Sequence, residues 1–186
     1  MGAAMNASDL RVALFSGNYN YVRDGANQAL NKLVRHLLDR GVQVRVYSPT
    51  VEHPAFEPEG DLVSVPAFAM PGGRGEYKVA FGLPKASRAD LEAFRPNLVH
   101  VSAPEFLGHA AVAWARDNGI ANVASLHTRF ETYPRYYGIG FVEPWLIRRL
   151  TRFYNKFDRV LVPGNSIAEL IKSWGVRTPI SIWSRG

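Results

Sequence analysis

Apolar and polar positions alternate along this chain in two periods, and the switches between them mark out its elements. Arg11-Val12-Ala13-Leu14-Phe15 is a short, mostly apolar run that predicts a buried strand. Behind it Ala26, Leu30, Leu33, Val34, Leu37 and Leu38 fall on one helical stripe, closed by Gly41 as the residue past the helix end. Val42 to Tyr47 then alternates as a second strand, ended by Ser48-Pro49. A strand, a helix and a strand joined by so short a return turn predict a parallel pair with a right-handed crossover.

The rest of the chain repeats the theme. Strands are predicted over 62–65, 98–102, 123–126, 159–162 and 180–183. Helices are predicted from 106 to 117, closed by Asn118-Gly119, and from 144 to 157. Two capping boxes, Ser87-Arg88-Ala89-Asp90 and Ser166-Ile167-Ala168-Glu169, predict shorter helices running to Phe94 and to Trp174-Gly175. Residues 66–84 read as a long loop punctuated by Gly and Pro, and 127–141 as an aromatic loop. Strands alternating with helices over the whole length predict an α/β fold, a Rossmann-like parallel sheet of about seven strands with helices on both faces. The expected organisation is a flexible polar segment over 1–9 followed by one such domain over 10–186.

Composition narrows the picture. Hydrophobic residues make up 47% and charged residues 20% of the 186, which is globular and not disordered. The absence of cysteine excludes disulfides and thiolate metal sites and fits a reducing compartment. No run of 18 apolar residues occurs, and the first nine residues lack the apolar core of a signal peptide. Lysine and arginine number 22 against 16 acidic residues, a net charge of +6. That balance suits nucleic acid, a phosphorylated small molecule or an anionic lipid surface. No nucleic-acid recognition motif is present, so nucleic acid is the weakest of the three.

Candidate chemistry gathers at the predicted C-terminal ends of strands. Ser16-Gly17-Asn18-Tyr19-Asn20-Tyr21-Val22-Arg23-Asp24-Gly25 leads into a helix N-terminus, where backbone N–H groups and the helix dipole favour an anion. It is neither a Gly-x-Gly-x-x-Gly fingerprint nor a Gly-x-x-x-x-Gly-Lys-Ser/Thr phosphate loop. Its competing reading is a plain strand-to-helix turn that needs Gly25 for its conformation, but it is long for such a turn. Among five histidines only His127 directly follows a predicted strand in polar and aromatic company; its competing role is to anchor the loop. No metal site is expected there, and no cofactor is expected anywhere. On the 144–157 helix Leu146, Ile147, Leu150, Phe153, Tyr154 and Phe157 share one arc. Trp145, Arg148, Arg149, Arg152 and Lys156 share the other, a face suited either to water or to anionic headgroups. The 66–84 loop, with Phe68, Met70, Arg74, Tyr77, Lys78 and Phe81, offers the same choice or an acceptor contact.

Several stretches carry a resemblance to a known family. They are the opening strand, Asp24-Gly25-Ala26-Asn27, the helix to Gly41, Arg95-Pro96-Asn97-Leu98-Val99-His100, Ser125-Leu126-His127-Thr128, Asp158-Arg159-Val160-Leu161-Val162-Pro163 and Trp183-Ser184-Arg185-Gly186. Together they resemble the N-terminal half of a family 4 glycosyltransferase of the GT-B type, over nearly the whole chain from Leu10. Gly17 to Asn27 together with His127 to Pro134 is similar to the bacterial mannosyl- and sulfoquinovosyl-lipid transferases. The resemblance implies a retaining enzyme that moves a hexose from GDP-mannose or a UDP-sugar to a lipid or glycolipid, without an obligatory metal, at the inner face of the membrane. It implies that His127 sits beside the transferred sugar. Gly25 corresponds to the second glycine of a pair that approaches the donor diphosphate, with Asp24 in place of the first. It implies acceptor contacts from Asn18, Tyr19, Asn20, Tyr21, Arg74, Lys78 and Arg129, and a membrane surface on Trp145, Arg148, Arg149, Arg152 and Lys156. The family's donor site, with two glutamates separated by seven residues, has no counterpart here, so a C-terminal donor-binding domain is expected outside these residues and the chain alone is expected to be inactive. The alternative is a non-catalytic Rossmann-like domain that binds a carbohydrate or a phosphorylated ligand.

Overall fold

The computed structural model of the chain describes residues 6–69, 78–127 and 140–183. Among them the fold is α/β and Rossmann-like, with seven parallel strands, a small antiparallel hairpin and five α-helices. Contacts divide the chain into two compact units, 1–122 and 123–186.

In the first unit β1 (Arg11–Phe15) lies between β2 (Gln43–Ser48) and β6 (Leu98–Val101), and β3 (Asp61–Ser64) pairs beyond β2. All three pairings are parallel, with Phe15 opposite Tyr47 on one side and Val101 on the other. Val12, Ala13, Leu14 and Phe15 are all buried, because a parallel strand is covered on both faces and has no solvent side for polar residues. Helix α1 (Gly25–Asp39) follows β1 and ends on Gly41, whose φ of 82° supplies the left-handed turn that closes it. The buried face of α1 holds Leu30 and Val34 as its apolar pattern predicts, but also two amides, Asn27 and Asn31.

Helix α2 spans Lys85–Phe94 and α3 Phe106–Asp117. The first capping box is not used: Pro84 stands at the N-cap, and Ser87 is buried within the first turn. Asp90 bonds Arg45 and the Tyr47 hydroxyl instead, tying α2 to β2. Arg95 closes α2 with φ 50°, and Asn97 then accepts the Arg11 N–H at 2.7 Å and donates to the Asp9 carbonyl at 2.7 Å. The Arg-Pro-Asn turn thus fastens β6 beside the start of β1. Residues 7–9, expected to be part of a flexible segment, form a 3₁₀ turn. Within the 66–84 stretch Phe68–Ala69 (β4) and Lys78–Val79 (β5) pair as an antiparallel hairpin, too short to leave an alternating pattern. Gly108 is enforced by packing, since a Cβ there would strike the Ala103 carbonyl and Val101.

In the second unit β7 (Ala121–Ser125) pairs with β8 (Arg159–Val162), and β8 with β9 (Ile180–Ile182), all parallel. Helices α4 (Glu143–Tyr154) and α5 (Asn165–Ser173) complete it. Phe153 meets Tyr154 and Phe157 edge-on at 5.3 and 5.0 Å, the aromatic part of the apolar arc that the sequence predicts. The second capping box also gives way. Gly164 is the N-cap of α5, and Glu169 pairs with Lys172 on the exposed surface.

Asn31 should be a strong anchor. Its Nδ2 donates to the carbonyls of Tyr19 and Asn27, each at 2.9 Å, and its Oδ1 accepts the Glu59 N–H at 3.0 Å. Asn31→Ala strands these buried groups, so urea unfolding should show a loss of about 2–3 kcal/mol. A loss below about 0.5 kcal/mol, the level of an ordinary surface substitution, would remove that role.

Candidate functional site

The C-terminal ends of parallel strands are where open α/β sheets hold ligands, so the residues after β1 and β6 in the first unit and after β7 in the second were the ones to place. The loop 16–25 is not a loose strap. The Tyr19 hydroxyl donates to the Glu59 carbonyl at 2.8 Å, Asn20 Nδ2 to the Phe56 carbonyl at 3.0 Å, and the Tyr21 hydroxyl to the Gly17 carbonyl at 2.7 Å. Ala55 donates back to the Asn20 carbonyl, and Arg23 reaches the Ala55 carbonyl while lying over the Phe56 ring. Tyr19, Asn20 and Tyr21 are therefore buried side chains: the first two clamp the loop to residues 55–59, and Tyr21 ties it to its own start at Gly17. Burial beside Glu59 pushes the Tyr19 hydroxyl pKa upward, which keeps it a neutral donor.

Asp24 is the N-cap of α1. Its Oδ1 accepts the Asn27 N–H at 2.8 Å and its Oδ2 accepts Asn27 Nδ2 at 2.9 Å. The positive end of the α1 dipole thus already faces a carboxylate. Gly25 is the exposed first residue of the helix and is not among the described residues with positive φ, so the turn does not need a glycine for its conformation. Lys78 donates its backbone N–H to the Tyr21 hydroxyl and its Nζ to the Thr50 carbonyl at 2.8 Å. Arg74 and Arg129 lie outside the described residues.

What the loop leaves open is the ground around Gly17. A Cβ on Gly17 would collide with the Glu105 carboxylate, so that carboxylate packs directly on the Gly17 backbone at the end of β1. Glu105 is the N-cap residue of α3, yet its side chain makes no capping hydrogen bond. Desolvation raises its pKa from 4.5 to about 7. Beside it, Asn18 Oδ1 accepts the Val22 N–H at 3.2 Å, which fixes the amide's orientation, and its buried Nδ2 has no acceptor. The sequence reading missed Glu105, because one acidic residue ahead of a helix reads as a solvated N-terminal charge. The signal that could have found it was its place, four residues past the end of strand β6.

In the second unit His127 stands two residues past the end of β7, and the Leu126 N–H donates to the Leu161 carbonyl at 2.8 Å to hold that exit. The imidazole meets the Trp183 ring edge-on at 4.9 Å, and the Trp183 N–H donates to the Val162 carbonyl at 2.7 Å. His127 is thus carried at a strand end and braced by an aromatic ring. Arg148, Arg149 and Arg152 on α4 and Lys156 in the turn after it are all exposed, Trp145 is 57% exposed, and Arg149 lies 5.0 Å over its ring. No helix among the described residues is long and apolar enough to cross a membrane.

Comparison with known proteins gives this arrangement a family. The description of Glycosyltransferase Family 4 matches residues 23–186. A GDP-mannose-dependent alpha-mannosyltransferase of Mycolicibacterium smegmatis is 24% identical over 185 residues, which cover 95% of this chain and 48% of that protein. An alpha-monoglucosyldiacylglycerol synthase of Streptococcus pneumoniae is 24% identical over 90% of the chain and 38% of its own length. A sulfoquinovosyl transferase of Arabidopsis thaliana is 27% identical over 95% and 35%. The chain spans about half or less of the length of these relatives. In fold it is similar to the sucrose-phosphate synthase of Thermosynechococcus elongatus, a GT-B protein, with a TM-score of 0.63 at 13% identity over 94% of this chain and 48% of the other.

Half-buried Glu105 and buried His100 give the first unit a measurable pH signature. Glu105 has a raised folded pKa, so its contribution is present below pH 4.5 and is lost as pH rises through about 7. His100, buried in β6, is held down from 6.5 to about 4, so its contribution is present above 6.5 and is lost as pH falls through about 4. Each amounts to about 3 kcal/mol at its limit, with opposite slopes that offset one another between about pH 4.5 and 6.5. Glu105→Gln should remove one slope, so its stability should rise by about 3 kcal/mol across that window relative to the parent. Parallel profiles for the two proteins in urea unfolding at several pH values would refute this. By its sequence this chain belongs to glycosyltransferase family 4.

Proposed function

We propose that the chain is the acceptor-side domain of a retaining glycosyltransferase that moves a hexose from a nucleotide-diphosphate sugar, GDP-mannose or a UDP-sugar, to a lipid or glycolipid. The observation that carries this is the family match over 23–186 joined to His127 at a strand's C-terminal end. In the reaction the bond from the anomeric carbon to the diphosphate oxygen breaks, one forms to an acceptor hydroxyl oxygen, and that hydroxyl gives up its proton. His127 is the group placed beside the transferred sugar, with Trp183 fixing its plane. Gly25, open at the helix start, allows a backbone to come close to the donor diphosphate, and Asp24 organises that helix end by capping it. Lys78, Arg74 and Arg129 contribute positive charge on the acceptor side. A second domain, outside these residues, supplies most of the donor contacts. The names of relatives that act with GDP-mannose or build a glucosyldiacylglycerol support the donor and acceptor classes.

The proposal extends to the membrane. The exposed arc of α4 puts three arginines and Trp145 on one side of an amphipathic helix, with Lys156 in the turn after it, and Phe141, 83% exposed, precedes it. Such a face rests its aromatics at the headgroup level and its cations on anionic lipid.

Two experiments test these statements. The whole protein, given GDP-mannose or UDP-glucose and a diacylglycerol-type acceptor, should transfer sugar, and His127→Ala should lower kcat by about a hundredfold or more. Residues 1–186 alone should transfer none, because half a cleft cannot position both substrates. Turnover by 1–186, or an unaffected His127→Ala enzyme, would contradict the assignment. The chain should also sediment with vesicles containing phosphatidylglycerol but not with phosphatidylcholine alone. Replacing Arg148, Arg149, Arg152 and Lys156 by Ser should weaken that binding by about a hundredfold or more, at about 1 kcal/mol per charge. Unchanged sedimentation of the fourfold variant would remove α4 as the membrane face.

A further inference from the structure

The family assignment says nothing about Glu105, and the loop chemistry after β1 makes it the most unusual group in the first unit. A carboxylate at a helix N-cap ordinarily accepts a backbone N–H, as Asp24 does for α1. Glu105 forgoes that bond, turns onto the backbone of Gly17, and has no side-chain hydrogen bond among the described residues. The next residue after Gly17, Asn18, carries a buried Nδ2 that donates to nothing. A half-buried carboxylate without a hydrogen bond and a buried amide N–H without an acceptor therefore flank one glycine, where two neighbouring parallel strands, β1 and β6, end in register. A buried amide left without an acceptor costs stability, and its retention beside an open carboxylate marks a ligand position.

The chemistry of the pair selects what can fill it. A hydroxyl accepts from an amide N–H and donates to a carboxylate at once, so it satisfies both groups. A dianionic phosphate or a carboxylate can only accept, so it meets Asn18 and is repelled by Glu105 once that carboxyl is ionised. Directly after Glu105 the surface turns apolar. Phe106, Phe81 and Phe68 are 54%, 63% and 70% exposed, with ring centroids 5.2 Å apart between Phe81 and Phe106 and 6.1 Å between Phe68 and Phe81. Three exposed aromatic rings in mutual contact beside a polar pair suit a ligand with a hydroxyl head and an apolar tail.

Resting on the reading of this chain as the acceptor side, the geometry points to a neutral subsite in which Asn18 and Glu105 bind an acceptor hydroxyl, with Phe106, Phe81 and Phe68 carrying its apolar part. Glu105 is then a binding and specificity residue: it admits an uncharged polyol head and rejects an anionic one. Desolvation raises its pKa, and a bound hydroxyl donating to it should draw that pKa down.

Two probes with the same tail and different heads test this on the 186-residue chain: octyl glucoside, below its micelle concentration, and octyl phosphate. Backbone amide NMR shifts at Gly17, Asn18 and Phe106 report the subsite and ignore octyl phosphate bound to basic surfaces elsewhere. At about pH 8, where a carboxyl of this pKa is mostly ionised, octyl glucoside should saturate these shifts and octyl phosphate should bind the same residues about tenfold or more weakly. Glu105→Gln should bring the two probes to within about threefold, Glu105→Asp should keep the discrimination while weakening octyl glucoside, and Phe81→Ala should weaken both probes equally. Equal or tighter binding of octyl phosphate by the unsubstituted chain would overturn the proposal, as would the absence of shifts at these amides. So would an unchanged preference in Glu105→Gln. Sugar transfer by the whole protein is a separate readout, so failure here leaves the glycosyltransferase reading intact, and failure there leaves the subsite to stand or fall alone.

Discussion

Two buried amides on one helix face, Asn27 and Asn31, hold the long loop after β1 in place, and the site in the first unit follows from that. A ten-residue connection at a sheet edge would ordinarily be loose, since its backbone groups have no ladder to join. Here Asn27 takes the Val22 carbonyl and Asn31 takes that of Tyr19, while the Asp24 carboxylate closes the helix end on Asn27. Tyr19, Asn20 and Arg23 then fasten the outer side of the loop to residues 55–59. Each bond contributes about 1 kcal/mol, but together they leave the loop one conformation.

A rigid loop determines what remains available to a ligand. With the hydroxyls of Tyr19 and Tyr21 committed to carbonyls, their rings serve as core. Among the described residues of the loop, an unpartnered buried amide N–H remains at the inner end, where Asn18 and Glu105 flank Gly17. The helix dipole, the feature that first drew attention to this loop, is largely answered from within by Asp24. Anion affinity at the start of α1 is therefore weaker than the bare motif implies.

Much of the fold was legible because burial leaves a period behind. The continuous apolar run of β1, the stripe of α1 with its terminal Gly41, and the span of α3 from Phe106 to Asp117 stand where the pattern puts them. The two capping boxes were not legible, because a Ser-x-x-acidic spacing is also produced by a buried Ser87 whose Asp90 serves Arg45, and by a surface Glu169 that pairs with Lys172. A hairpin of two residues per strand has no room for alternation. His127 was legible as a site candidate because it directly follows a predicted strand, and Trp183 as its brace was not, since contacts between distant strand ends leave no trace in local spacing. Glu105 was hidden for the same reason: only the packing onto Gly17 distinguishes it from any acidic residue at a helix start.

The subsite at the end of β1 depends on a half-buried carboxyl without a hydrogen bond, and its ionisation can be observed directly. Titration of the chain with ¹³C-labelled glutamate, followed by NMR of the side-chain carboxyl carbons and assigned with Glu105→Gln, reads that group alone. The expected midpoint is about 7, against 4.5 for a solvated glutamate. A midpoint at the ordinary value would mean that Glu105 is solvated or already satisfied, and that no open polar site exists at the end of β1.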